Sequence, residues 1–286
     1  AILETGKWDV AVRHYRLALR LDQKRVETHW ATQRFNILEP QENQIENPIF
    51  IVGCGHSGTS ILLAILGNHP RFHPIPKESA LFMRTDDVAQ KIMGQWDESC
   101  KEQGKVRWIE KTPPHVFQIH RLLAFRPKSQ FIVIIRDGRD VVCSLKHRIG
   151  YEAFEDRLER WIYDNMTGLS YLDHPQVKFI KYEDLVTDIE NTLMQICAFL
   201  REGYSQKMLD YYKIEHHWYS DQIIEPEQIK THEDHLNYRN WQINQPIFDG
   251  RGRWKSEMTK EEKKDFKRSL GQTYLQKFNY TENSDW

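Results

Sequence analysis

An apolar, β-branched run, Ile49 to Val52, breaks at the glycine-rich stretch Gly53 to Ser60 and resumes as the apolar run Ile61 to Leu66. The pattern reads as buried strand, tight turn and helix. A turn of this kind aims unpaired backbone N–H groups and a helix N-terminus at an anion. Gly55, His56, Ser57, Gly58, Thr59 and Ser60 are therefore the candidate phosphate ligands. The spacing follows the Walker A pattern G-x-x-x-x-G-K-[ST], except that Thr59 stands where the lysine belongs. A nucleotide triphosphatase needs that lysine and a Mg²⁺ ligand to offset the charge on its phosphates. Without the lysine, the stretch describes a phosphate cradle lacking ATP chemistry.

From residue 49 onward strands and helices alternate. Strands are expected at 107–110, 131–135 and 177–181, and helices at 114–125, 139–148, 151–172, 187–201, 204–213 and 259–277. Residues 214–250, rich in His, Asn, Gln and aromatics without a clear period, read as long loops. The rhythm predicts an α/β fold: a P-loop-type, mainly parallel sheet flanked by helices, with ligands at the carboxyl ends of the strands. Ahead of this domain (49–286), residues 1–38 look helical and 39–48 form a polar linker bounded by prolines. Ala11, Tyr15 and Ala18 match the second-helix spacing of a tetratricopeptide repeat. The other reading of the segment is an ordinary amphipathic helix packed on the main domain. A lone partial repeat cannot bury its own face, so in the repeat reading its neighbours lie upstream and the helices offer a surface to a protein partner.

The formal net charge of −1 makes no electrostatic case for nucleic acid or an anionic membrane surface. No apolar run approaches the length of a membrane span. The four cysteines, Cys54, Cys100, Cys143 and Cys197, show no CxxC spacing, which favours reduced thiols and a cytoplasmic setting, or the Golgi lumen for a eukaryotic protein. The chain begins at Ala1 with neither an initiator methionine nor a signal-peptide pattern, as a piece of a longer protein would. His216, His217, His232 and His235 lack a third fixed ligand or helical register, so no metal is expected. The glycosylation sequons at Asn165 and Asn279 occur as readily by chance.

A second segment repeats the first one's logic. The apolar strand Phe131 to Ile135 is followed by Arg136, and Ser144 lies eight positions further on. A planar guanidinium and a hydroxyl make charge-assisted bonds to one phosphate. With these two segments the chain resembles the sulfotransferases that use 3′-phosphoadenosine 5′-phosphosulfate (PAPS), and the resemblance runs from 49 to about 280. It implies that Arg136 and Ser144 hold the 3′-phosphate of PAPS and of its product 3′-phosphoadenosine 5′-phosphate (PAP). Pro76-Lys77-Glu78 with Phe82 is similar to the segment carrying the glutamate base in heparan sulfate sulfotransferases, and tyrosylprotein enzymes keep a glutamate there too, which implies that Glu78 is the general base. The resemblance places Lys111, at the end of the strand at 107–110, against the transferring sulfuryl group. It puts Tyr182 of Tyr182-Glu-Asp-Leu near the cofactor, and Gly250 to Lys255 as a lid in which Arg251, Gly252 and Arg253 touch the nucleotide. His115, two residues beyond the histidine base of the small-molecule branch, is the second-choice base. Where this chain has His56 the family usually has a lysine or arginine that contacts the 5′-phosphosulfate, which implies a catalytic role for His56 beside Glu78 and Lys111, as a donor whose charge depends on pH near neutrality.

The function implied is sulfuryl transfer from PAPS to an unidentified hydroxyl or similar acceptor, by in-line displacement and without a metal. Two other readings are a P-loop kinase, disfavoured by the missing lysine, and a catalytically silent interaction module, disfavoured by Glu78 and Lys111.

Overall fold

A computed structural model describes residues 44–45, 47–146, 148, 150–229 and 231–286. Residues 1–38, expected to be helical, and most of the expected linker at 39–48 lie outside the described residues. Five strands, β1 (Ile49–Gly53), β2 (Phe72–Pro74), β3 (Arg107–Lys111), β4 (Gln130–Ile135) and β5 (Val177–Lys181), form one parallel sheet in the order β2-β3-β1-β4-β5. Helix α1 (Thr59–Gly67) follows β1 and α2 (Asp86–Glu102) follows β2. Helices α3 (Ile119–Phe125), α4 (Gly138–Leu145) and α5 (Phe154–Leu169) come next, then α6 (Tyr182–Thr187) and α7 (Ile189–Leu200). The chain closes with α8 (His232–Ile243), α9 (Trp254–Glu257), α10 (Lys260–Arg268) and α11 (Leu270–Lys277).

The central strands are apolar without interruption because both faces of the sheet are covered. Ile49, Ile51, Ile109, Ile132 and Ile134 pack with α1 and α7 on one face. Phe50, Val52, Trp108, Phe131 and Val133 pack with α4 and α5 on the other. Period-two alternation thus divides one strand between two cores. Pairing is in a register that brings Ile51 beside Lys111, Gly53 beside Ile134 and Ile135 beside Lys181. The carboxyl ends of β1, β3, β4 and β5 consequently open along one edge, and the loops that leave them are neighbours.

Four helical expectations need correction. The helix expected at 114–125 begins as a 3₁₀ turn, Pro113–Gln118, before α3, with Thr112 held extended ahead of two prolines. The segment expected at 204–213 is likewise 3₁₀, Gln206–Lys213. The final helix is broken at Ser269, whose backbone turns extended while its hydroxyl accepts a bond from the Gly271 N–H and caps a new helix.

The fourth concerns 214–250, which contains α8. Thr231 and Asp234 cap it reciprocally: the Thr231 hydroxyl accepts from the Asp234 N–H, and the Asp234 carboxylate accepts from the Thr231 N–H. Asn240, fully buried, donates to Ser220 and to the Gln222 carbonyl and accepts from the Tyr219 N–H, so helix and preceding loop are one unit. We predict that Asn240→Ala, by leaving buried backbone groups unsatisfied, lowers stability by about 1–3 kcal/mol in urea unfolding; an unchanged midpoint would contradict this role.

Candidate active site

The loop after β1 is shaped by close approach. Gly58 has φ +94°, and a Cβ there would lie 2.7 Å from the ring of Tyr182. A Cβ at Gly55 would lie 2.3 Å from the Arg160 guanidinium. Gly58 starts α1 with no side-chain cap and no acid in the first turn, leaving the first N–H groups of the helix to the loop. Ser57 is fully buried and its hydroxyl has no hydrogen-bond partner. A buried, unsatisfied hydroxyl inside a cradle of backbone donors suits an anionic ligand. Residues Gly55 to Ser60 therefore fit the phosphate group assigned to them.

The segment after β4 meets this loop at His56. Arg136 donates through Nη1 to the His56 carbonyl at 3.2 Å, and Ser144 Oγ is hydrogen-bonded to His56 Nδ1 at 2.9 Å. The Arg136 guanidinium lies 4.2 Å above the ring of Tyr182, the first residue after β5. Its Nη2 donates to the carbonyl of Gly250 at 2.6 Å, and its buried Nε has no partner. Tyr182 donates its hydroxyl hydrogen to the Phe248 carbonyl and accepts from the Gly250 N–H. Arg136, Ser144 and Tyr182 are thus brought together with the cradle.

The late loop is held by its backbone. Asp140 on α4 accepts from the N–H groups of Gly252 (2.8 Å) and Trp254 (3.1 Å). Arg251 pairs with Asp249 and Arg253 with Glu257, so both arginines bind carboxylates of their own segment.

At the end of β3, Lys111 is buried and donates to Glu78 Oε1 at 2.5 Å. Arg239 of α8 donates to the same oxygen at 2.6 Å and lies 3.4 Å from Ser60 Oγ. Tyr219 completes the group: the guanidinium of Arg239 sits 3.8 Å from its ring centroid and the ammonium of Lys111 5.2 Å. Burial opposes ionisation of Glu78, but Lys111 and Arg239 overcome it and hold the carboxyl far below the usual range. Arg239 and Tyr219 escaped the sequence reading, because residues from an apparent loop give no signal of the site they reach. The Thr231–Asp234 capping pair was the available clue to the helix.

His115 lies beneath this group. It is fully buried between Phe50 and Phe82, with Nδ1 3.0 Å from Glu110 and no partner at Nε2. Glu110 also accepts from the Ser79 N–H and hydroxyl and from Thr112. The Glu110–His115 pair thereby fastens the residue that follows Glu78. Among the described residues, no group of three or more His, Cys, Asp or Glu is placed to hold a metal ion, all four cysteines are buried thiols outside any disulfide, and no helix is long and apolar enough to cross a membrane.

Residues 78–206 match the model of the sulfotransferase family. The chain is 26% identical over 200 residues to a Caenorhabditis briggsae protein named "Putative protein-tyrosine sulfotransferase", covering 60% of this chain and 71% of that one. The sulfotransferase domain of the Synechococcus PCC 7002 olefin synthase superposes with a TM-score of 0.51 at 18% identity, covering 84% of this chain and 98% of the domain. Mouse sulfotransferase SULT7A1, solved with PAP, superposes with a TM-score of 0.50 at 17% identity, covering 83% and 86% of the two chains. These likenesses show the fold.

Electrostatics at His56 differ from the sequence expectation of a histidine poised to titrate near neutrality. Its backbone takes φ +68°, and burial, reinforced by Arg148, Arg160, Arg239 and His235, drives its pKa well below the ordinary value of 6.5. The lowered pKa favours the neutral imidazole, which is a hydrogen-bond partner for Ser144. An unfolded chain takes up this proton near pH 6.5 while the folded one resists it, so stability falls as pH drops below that value. We predict that the His56 ring proton resonances of the free protein do not titrate around pH 6.5. His56→Gln should weaken the acid-side loss of stability in pH-dependent unfolding. A normal His56 titration curve would refute the argument.

Proposed function

We propose that the chain is a sulfotransferase, as the match of residues 78–206 to that family's model supports, and that it transfers the sulfuryl group of PAPS to a hydroxyl acceptor. One observation carries the reading: the cradle after β1, the Arg136–Ser144 pair after β4 and the Glu78–Lys111 pair meet along one edge of the sheet. PAPS supplies an activated sulfuryl group whose S–O bond to the 5′-phosphate breaks as a bond to the acceptor oxygen forms.

In this reading Gly55 to Ser60 receive the 5′-phosphosulfate on backbone donors, the Ser57 hydroxyl and the start of α1. Arg136 and Ser144 take the 3′-phosphate; Arg136 already keeps its Nε without a partner. Tyr182 stacks beneath Arg136 and holds the Gly250 segment over the nucleotide. The late loop contributes Gly252 and its neighbours, with Arg251 and Arg253 able to exchange their partly exposed carboxylate partners for phosphate. Lys111 stabilises charge on the transferring group and its leaving oxygen. Glu78 orients the acceptor hydroxyl and removes its proton, becoming more basic as Lys111 turns toward the anion. A protein tyrosine, the acceptor in the name of the C. briggsae relative, is the first to assay.

Calorimetric titration with PAP and 5′-AMP tests the cofactor. PAP should bind far more tightly, because each charge-assisted bond to the 3′-phosphate contributes about 1.5–3 kcal/mol. Arg136→Ala should weaken PAP by considerably more than it weakens 5′-AMP, whereas equal affinity of the unsubstituted chain for the two nucleotides would sink the assignment. Glu78→Gln should lower turnover by roughly 10²–10⁴ while PAP affinity is preserved. An active Glu78→Gln beside an inactive, folded His115→Ala would move the base to His115.

A further inference from the structure

Glu78 is approached by ionisable groups from three directions: Lys111 from the end of β3, Arg239 from α8, and Tyr219 from the loop before α8. Two full cations converge on one carboxylate oxygen, although one would satisfy its charge. The second comes from far along the chain and is carefully placed. Asn240 anchors Tyr219 through its N–H, Tyr219 presents its ring 3.8 Å from the Arg239 guanidinium, and Arg239 spans from Glu78 to Ser60 of the cradle.

We propose that Arg239 and Tyr219 are positioning residues of the transfer site, holding Glu78 ionised and oriented while Lys111 is committed to the anionic cofactor. The inference rests on the sulfotransferase reading. Lys111 has to serve two anions once a phosphosulfate lies beside it. With no other cation, Glu78 would then face like charge, and like charge drives a carboxylate to take up a proton. A protonated Glu78 cannot accept the acceptor's proton. Arg239 prevents that, and its planar fork fixes where the carboxylate points. The Tyr219 ring, stacked against the guanidinium, keeps the fork in register through a cation–π contact.

The test follows the Glu78 carboxyl directly by ¹³C NMR in glutamate-labelled protein, the signal assigned by its loss in Glu78→Gln, with and without PAP. In the unsubstituted chain Glu78 should remain ionised across the pH range in which the protein is folded, in both states. In Arg239→Gln it should titrate at a proton concentration at least about tenfold lower, and further so with PAP bound. Arg239→Lys should restore most of the original behaviour, and Tyr219→Leu should give an intermediate shift. The acid limb of kcat/KM should move with the carboxyl in every variant. A Glu78 titration unaltered in folded Arg239→Gln overturns the proposal. Should that variant fail to fold, Tyr219→Leu decides: a raised midpoint supports the proposal and an unchanged one overturns it. If the unsubstituted chain binds no PAP, the sulfotransferase reading fails, while the free-protein titrations still decide whether Arg239 holds Glu78 ionised.

Discussion

The guanidinium of Arg136 is the joint on which the site depends. It follows β4, donates to the His56 carbonyl in the loop after β1, stacks on Tyr182 after β5, and donates to the Gly250 carbonyl of a segment more than a hundred residues away. Four pieces of chain are therefore located relative to one another by one planar cation. That joint is possible only because the parallel register ends β1, β4 and β5 side by side. A lysine would not replace it, since a point charge on a flexible stem can neither stack on Tyr182 nor hold two carbonyls in fixed directions. Asp140 completes the frame from α4 by accepting from Gly252 and Trp254, so the late loop is docked through its backbone and its arginine side chains are left with local partners.

The charged groups follow a different logic. Burying Glu78 between Lys111 and Arg239 adds little to stability, because taking ions out of water costs about as much as their attraction returns. What the arrangement provides is a surplus of positive charge beside a loop of backbone donors, with a carboxylate inside it. Burial, and after it Arg148, Arg160, Arg239 and His235, push the His56 pKa well below its ordinary value. An anion entering the cradle would relieve the crowded cations, so the like charges of the site favour an anionic ligand. Beneath, the Glu110–His115 pair and Thr112 secure Ser79 and keep the Glu78 segment in place.

Much of this was legible in the chain because it is local. A glycine loop between an apolar strand and an apolar helix has one economical conformation, and Arg136 and Ser144 are spaced by a strand end and the helix that follows it. Glu78 and Lys111 were singled out by their neighbours, but their mutual contact across 33 positions was not readable. The α8 helix was missed because its buried side is largely amide, Asn237 and Asn240, so the apolar period that announces a helix is absent. The break at Ser269 was missed because a serine flanked by good helix formers is a cap only if tertiary packing turns the chain there.

By itself the sequence determined the α/β class, the glycine loop after the first strand and the residues that stand at the strand ends, because hydrophobic period, glycine and strand-end residues act over short distances. The tertiary structure alone decided that Arg239 and Tyr219 join Glu78, that the His56 pKa is driven down, that His115 lies buried against Glu110, and that the late loop docks through Gly250 and Asp140. Each of these depends on charge and burial contributed by residues distant in the chain. Electrostatic energy varies with distance and desolvation in space, and neither quantity is written in the order of the residues.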